Sequence, residues 1–176
     1  RWLPVSQRSP REPKWSASVT WESIDRIKEY AGLPFMLKGI ATGADAALAM
    51  EHGVDVVWVS NHGGRQLDAA PPAIDLLPTI RDAVGSEYPL IFDSGVRSGE
   101  GVVKALALGA DFVRLGRAFL YAAGAAGERG VFRLVDLLSE QVALTLAQIG
   151  YPDVGGVNHN ALAVGEAGDL TNLGSD

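Results

Sequence analysis

Two pairs of segments recur along this chain at nearly the same interval, and this repetition limits the available folds more than any other feature. Pro34-Phe-Met-Leu-Lys-Gly39 resembles Pro89-Leu-Ile-Phe-Asp-Ser94, displaced by 55 residues. Gly53-Val-Asp-Val-Val-Trp-Val-Ser60 resembles Gly109-Ala-Asp-Phe-Val-Arg-Leu-Gly116, displaced by 56. Ala-rich stretches of helical character, 43–52 and 99–108, lie between the members of each unit. The apolar runs are short, nearly continuous and rich in β-branched or aromatic residues, as expected for parallel strands buried on both faces. They predict strands at 35–39, 55–60, 89–93 and 112–115. Helices are expected over 72–84, from Arg117 onward, and at about 130–149, where Val131, Leu134, Val135, Leu138, Val142 and Leu146 recur at helical spacing. An earlier helix is expected to start near Thr20 as N-cap and to stop at Gly32, ahead of Pro34.

A β-α-β-α-β-α-β-α order with right-handed crossovers fits two architectures. One is an open doubly wound sheet. The other is half of a (β/α)8 TIM barrel, whose full size is typically about 250 residues. No G-x-G-x-x-G follows the first strand, which counts against a dinucleotide fold. Polar residues gather instead where strands end: Lys38, Ser60-Asn61-His62, Asp93 and Gly116-Arg117. Barrel enzymes place their chemistry at that rim. The reading is therefore α/β: the C-terminal half of a barrel, four parallel strands with helices, completed by an N-terminal half not in this chain. It occupies 18–150, after a Pro- and Arg-containing loop or linker at 1–17 and before a tail at 151–176.

Composition removes several other classes. The chain has 176 residues, 47% hydrophobic and 20% charged, which is ordinary globular usage. It has no apolar run of about 18 residues, the length needed to span a membrane. Cysteine is absent, so thiolate metal sites, disulfides and Cys nucleophiles are excluded. A net charge of −6 argues against a nucleic-acid partner, although Arg1, Arg8, Arg11 and Lys14 make the start locally basic. Asp68, Asp75 and Asp82 lack the spacing of a metal site, and no metal is expected. With neither a secretory signal nor a C-terminal peroxisomal tripeptide in view, a cytoplasmic location is the expectation; attachment to a membrane surface stays open.

Ser60-Asn-His-Gly-Gly-Arg-Gln-Leu-Asp68 is the most informative segment. It places an imidazole and a guanidinium three positions apart, just after a strand. Arg65 can grip a carboxylate with two parallel hydrogen bonds. His62 can then remove a nearby proton, since imidazole titrates close to neutral pH. The plainer alternative is a loop whose His and Arg merely satisfy backbone groups. Lys38 suits either catalysis or an ion pair with a rim carboxylate, because an unpaired buried ammonium is expensive. Asp93-Ser94-Gly95-Val96-Arg97, with Gly116 and Arg117, offers backbone N–H groups, a helix N-terminus and two guanidinium groups, the makings of a phosphate site. His52 and His159 take structural readings, and Trp58 reads as packing.

Taken together, these rim segments, with Lys104-Ala-Leu-Ala-Leu-Gly-Ala110, resemble the flavin-dependent 2-hydroxy acid oxidase and dehydrogenase family. That family includes glycolate oxidase, lactate oxidase, mandelate dehydrogenase and the flavin domain of flavocytochrome b2. The resemblance covers about residues 18–150. It implies FMN as cofactor and oxidation of an (S)-2-hydroxy acid to the 2-oxo acid. By this resemblance His62 is the base and Arg65 the carboxylate clamp. Lys38 lies by the flavin N1 and C2 carbonyl, and Ser60 hydrogen-bonds the flavin. Asp93, Ser94, Gly95, Val96, Arg97, Gly116 and Arg117 hold the ribityl chain and phosphate. Relatives often carry Gly where this chain has Ser94. The family's first barrel strands, which supply further flavin contacts, a substrate Tyr and an Asp paired with the base, have no counterpart here. The implied partners are a small 2-hydroxy acid, the N-terminal half of the barrel, and further copies, with a tetramer favoured. Two rivals stand beside this reading: another FMN- or phosphate-binding barrel of the flavin-dependent isomerase type, and a non-catalytic half-barrel serving assembly.

Overall fold

The computed structural model describes residues 19–162. The expected linker at 1–17 and the last part of the tail, 163–176, lie outside the described residues. The chain divides into two compact units, one through Phe35 and one from Met36 onward. In the first, α1 runs Trp21–Ala31. Thr20 Oγ1 accepts the Ser23 N–H and Ser23 Oγ accepts the Thr20 N–H, a reciprocal capping box. Gly32 closes the helix at φ 58°, its N–H donating to the Lys28 carbonyl. Both predicted ends of this helix are met.

The second unit holds β1 (Met36–Ile40), α2 (Gly43–Glu51), β2 (Val56–Val59), α3 (Ala73–Val84), β3 (Leu90–Phe92), α4 (Gly99–Ala107), β4 (Phe112–Val113) and α5 (Arg117–Ile149). All four strands are parallel, in the order β1-β2-β3-β4. Sequential parallel strands joined by helices are what the repeat demanded. Thr42 and Ser98 start α2 and α4 by accepting the Asp45 and Gly101 N–H groups. The two helices expected from Arg117 and at about 130–149 are one element broken at Ala126 and Gly127, where Gly127 takes φ 58°. Only a glycine adopts that backbone readily.

One face of the sheet forms the core. Val57, Val59, Leu90 and Phe92 are fully buried, as are Ala46, Ala49, Leu77, Ile80 and Ala105 of the helices. Each large side chain so buried contributes about 1.5–3 kcal/mol. The other face is open, as half of a barrel leaves it. Lys38, Trp58, Ile91 and Phe112 stand in one register row across the four strands, and Phe112 is 60% exposed and Met36 45%. Among the described residues no second layer covers this face, so these strands are buried on one side only.

Candidate active site

The rim site is built where β1, β2 and β3 end. Strand β1 runs on through Gly39 to Ile40, two residues beyond Lys38, so Lys38 sits inside the strand and not at its end. The pairing with β2 slips between Lys38 and Ile40, an irregularity that re-aims the strand at Gly39. Gly39 has φ 100°, and a Cβ there would come within 2.9 Å of His62 Cε1. The imidazole of His62 thus lies directly against the Gly39 backbone.

Ser60 follows β2 and is 1% exposed, the one polar residue in the described core. Its hydroxyl is the junction of the site. It accepts from Lys38 Nζ at 2.8 Å and from the His62 N–H at 3.1 Å, and it donates to Asp93 Oδ1 through a very short hydrogen bond. Lys38 Nζ also lies 3.1 Å from Asp93 Oδ2. Ser94 donates to Asp93 Oδ1 at 2.8 Å and accepts the Gly63 N–H at 3.1 Å. Burial pushes the Asp93 carboxyl up, but hydrogen bonds from Ser60, Ser94 and Lys38, with the Lys38 charge, outweigh it and hold the group below its ordinary value. Asp93 is therefore a carboxylate at neutral pH, paired with the Lys38 ammonium.

After Ser60 the chain turns through a short 3-10 segment, His62–Gly64. His62 adopts φ 56° and Ser94 φ 90°, the two described non-glycine residues with positive φ. Such conformations cost about 1–3 kcal/mol each and cluster at functional sites. Asn61 stabilises the turn by accepting the Gly63 N–H and donating to the Pro71 carbonyl. The side chains of His62 and Arg65 are exposed.

Arg65, Arg97, Arg114 and Arg117 line one cavity with His62 and Asp93. Arg117 donates to the Gly63 carbonyl at 3.3 Å. Among the described residues neither Arg65, Arg97 nor Arg114 has a carboxylate within ion-pair distance. Four guanidinium groups around one carboxylate that already faces Lys38 make a receptacle for anions. Gly95 and Gly116 leave its backbone open: a Cβ at either would meet nothing within 4 Å. This donor set fits the phosphate of a flavin mononucleotide. At the N-terminus of α4, Gln141 Oε1 accepts the Gly99 N–H and Ser98 Oγ the Gly101 N–H, whereas the N-terminus of α5 at Gly116 has no side-chain cap.

The model of the family of FMN-dependent dehydrogenases matches residues 5–164 of this chain. The chain belongs to that family. An L-lactate dehydrogenase of Yersinia pestis (strain Pestoides F) is 41% identical over 151 residues, which cover 86% of this chain and 40% of that protein. Among solved structures, a mandelate oxidase variant with a monooxide FMN adduct is 43% identical, with a TM-score of 0.75 over 79% of this chain and 44% of that one. A monotopic membrane protein, (S)-mandelate dehydrogenase, is 41% identical, with a TM-score of 0.79 over 82% of this chain and 38% of that one. The chain thus spans about 40% of the length of the relatives it matches. FMN is the cofactor of the FMN-dependent dehydrogenases, and four parallel strands with their helices are a partial barrel of the kind this family forms.

The structure brings Lys38, Ser60, Asp93 and Ser94 into direct contact and sets His62, Arg65, Arg97, Gly116 and Arg117 around the adjoining cavity. Sequence reasoning missed Arg114, which packs on Trp58. The Arg114 guanidinium stacks 4.4 Å from the Trp58 ring centroid, and Lys38 Nζ lies 5.0 Å from the same centroid. The signal was present in the alternation Phe112, Arg114, which puts both on the open face of the sheet.

Proposed function

We propose that this chain is the C-terminal half of an enzyme that oxidises an (S)-2-hydroxy acid to the 2-oxo acid with FMN. The observation that carries the reading is Arg65: an exposed guanidinium with no carboxylate in reach among the described residues, three positions from His62 on the same rim turn. Arg65 binds the substrate carboxylate in a two-pronged grip, which also fixes the carbon bearing the hydroxyl. His62 takes up the proton that the substrate loses on oxidation, and the contact with Gly39 limits where its ring can lie. Arg97 and Arg117, with the open backbone at Gly95 and Gly116, hold the phosphate. When bound, FMN accepts the two electrons. Lys38, fixed by Ser60 and Asp93, supplies a positive charge at a set place, an electrostatic stabilisation of the oxyanion-hole type.

The first half of the barrel completes the site. Strands β1 and β4 are edges among the described residues, and barrel closure is what removes such edges. Assembly into a homo-oligomer, with a tetramer favoured, and a cytoplasmic location belong to the same proposal. The flavin-dependent isomerase reading is less favoured, because it leaves Arg65 beside His62 without a carboxylate to bind. The test loads the complete barrel with FMN and adds (S)-lactate or (S)-mandelate without oxygen. Bleaching of the flavin absorption is expected. A flavin that stays oxidised with a series of 2-hydroxy acids would overturn the proposal.

A further inference from the structure

Two amides of one turn rest on two serine hydroxyls, and both hydroxyls rest on one carboxylate oxygen. The His62 N–H donates to Ser60 Oγ and the Gly63 N–H to Ser94 Oγ, while both serines donate to Asp93 Oδ1. The direction of donation is the same throughout, from amide to hydroxyl to carboxylate, and it requires an acceptor that carries no proton. Ser60 occupies an extended strand end, where a hydroxyl is reached without strain. Ser94 does not: its φ of 90° is a conformation in which L side chains are uncommon and glycine is at ease. Glycine would remove the strain and with it the one acceptor of the Gly63 amide that lies outside the turn, leaving only Asn61 Oδ1 at 3.0 Å within it. The position thus trades backbone ease for one hydroxyl, and that hydroxyl reaches across from the β3 end to the turn bearing His62.

We infer that Ser94 is a positioning residue, holding the His62 turn against Asp93 so that the imidazole stays where oxidation of a 2-hydroxy acid needs it. This rests on the function proposed above for His62. Glycine and alanine each keep the main-chain N–H at position 94, so only the hydroxyl is lost.

Ser94→Gly and Ser94→Ala, made in the complete FMN-loaded protein, test it with two readouts. The first is hydrogen exchange of the Gly63 amide, expected to quicken about tenfold in both variants, the scale of one lost intramolecular hydrogen bond. The second is anaerobic flavin bleaching at saturating FMN and saturating (S)-lactate or (S)-mandelate, expected to slow by about tenfold or more through loss of fixed geometry. A merely structural role makes the opposite prediction for Ser94→Gly, which relieves the strained backbone and should melt no earlier than wild type. Wild-type bleaching by Ser94→Gly, or an unaltered Gly63 exchange rate, would overturn the inference. A wild-type flavin that neither acid bleaches would sink the proposed function instead, and the exchange comparison would still decide whether Ser94 holds the turn.

Discussion

The ammonium of Lys38 and the carboxylate of Asp93 meet at 3.1 Å although they stand on strands separated by β2. Ser60, just past the end of β2, bonds to both. One consequence is electrostatic: Lys38 is held in place by a partner of opposite charge, so its effect on a bound anion depends on the charge of Asp93. The other is structural, since three parallel strands are tied at their rim ends by side chains as well as by their backbone ladder.

Acid should loosen this tie. The folded protein holds Asp93 below its ordinary carboxyl value, so the group favours folding fully above about pH 4, where the unfolded carboxyl is also ionised. That contribution falls as the pH drops toward the lowered folded value and is gone beneath it. Urea melts between pH 3 and 7 should show wild type losing more stability over this range than Asp93→Asn. Parallel pH profiles for the two proteins would remove Asp93 as the cause.

Arg65→Lys should weaken use of the 2-hydroxy acid far more than binding of FMN in the complete protein. Lysine keeps the charge and loses the planar fork. A drop in kcat/KM of about tenfold to a hundredfold, corresponding to ~1.4–2.7 kcal/mol, is expected with flavin content unchanged. Unchanged steady-state kinetics would take Arg65 out of the substrate role.

His62→Gln should leave FMN bound and slow anaerobic flavin reduction by at least the roughly 10²–10⁴ credited to acid–base catalysis. Stopped-flow traces at the wild-type rate would show that the imidazole is not the base.

Gly39→Ala tests the contact behind His62. Its Cβ would lie 2.9 Å from His62 Cε1, at a backbone φ of 100°. The strain should lower stability by about 1–3 kcal/mol. The displaced ring should slow flavin reduction as well, and more than Gly32→Ala does, where an added Cβ meets nothing within 4 Å although φ is also positive. Equal rates in the two variants would mean that the Gly39 contact does not set the position of His62.

Local signals made much of this legible from sequence. Thr20 and Gly32 marked the ends of α1 because capping is a matter of nearest neighbours, and both caps form as expected. Lys38, Ser60 and Asp93 could be assigned to one rim because parallel strands bring their ends together. What escaped depends on tertiary geometry. Nothing in the string Asp93-Ser94-Gly95 announces that Ser94 takes a left-handed backbone, or that its hydroxyl crosses to Gly63. The pairing of Arg114 with Trp58 needs the register of β2, β3 and β4 together, and the filling of the α4 N-terminus needs Gln141, 42 residues away in sequence. The exposed second face follows from the half-barrel reading, since apolar strand composition describes a completed barrel and this chain supplies part of one.

The contact of Gln141 with Gly99 ties the loop proposed to hold the phosphate to α5. A Cβ at Gly99 would fall 2.5 Å from the Val142 nitrogen, so α4 and α5 touch backbone to backbone there, and Gln141 accepts the first N–H of α4. The segment Asp93–Arg97 is thus anchored behind by a helix that contains none of its residues. A protein cut just before Gln141 would keep every side chain assigned to the flavin and the substrate, yet its phosphate loop would end in a helix with an uncapped amide and a missing neighbour. Damage to the last helix would then register first as lost cofactor, before any failure of the chemistry itself.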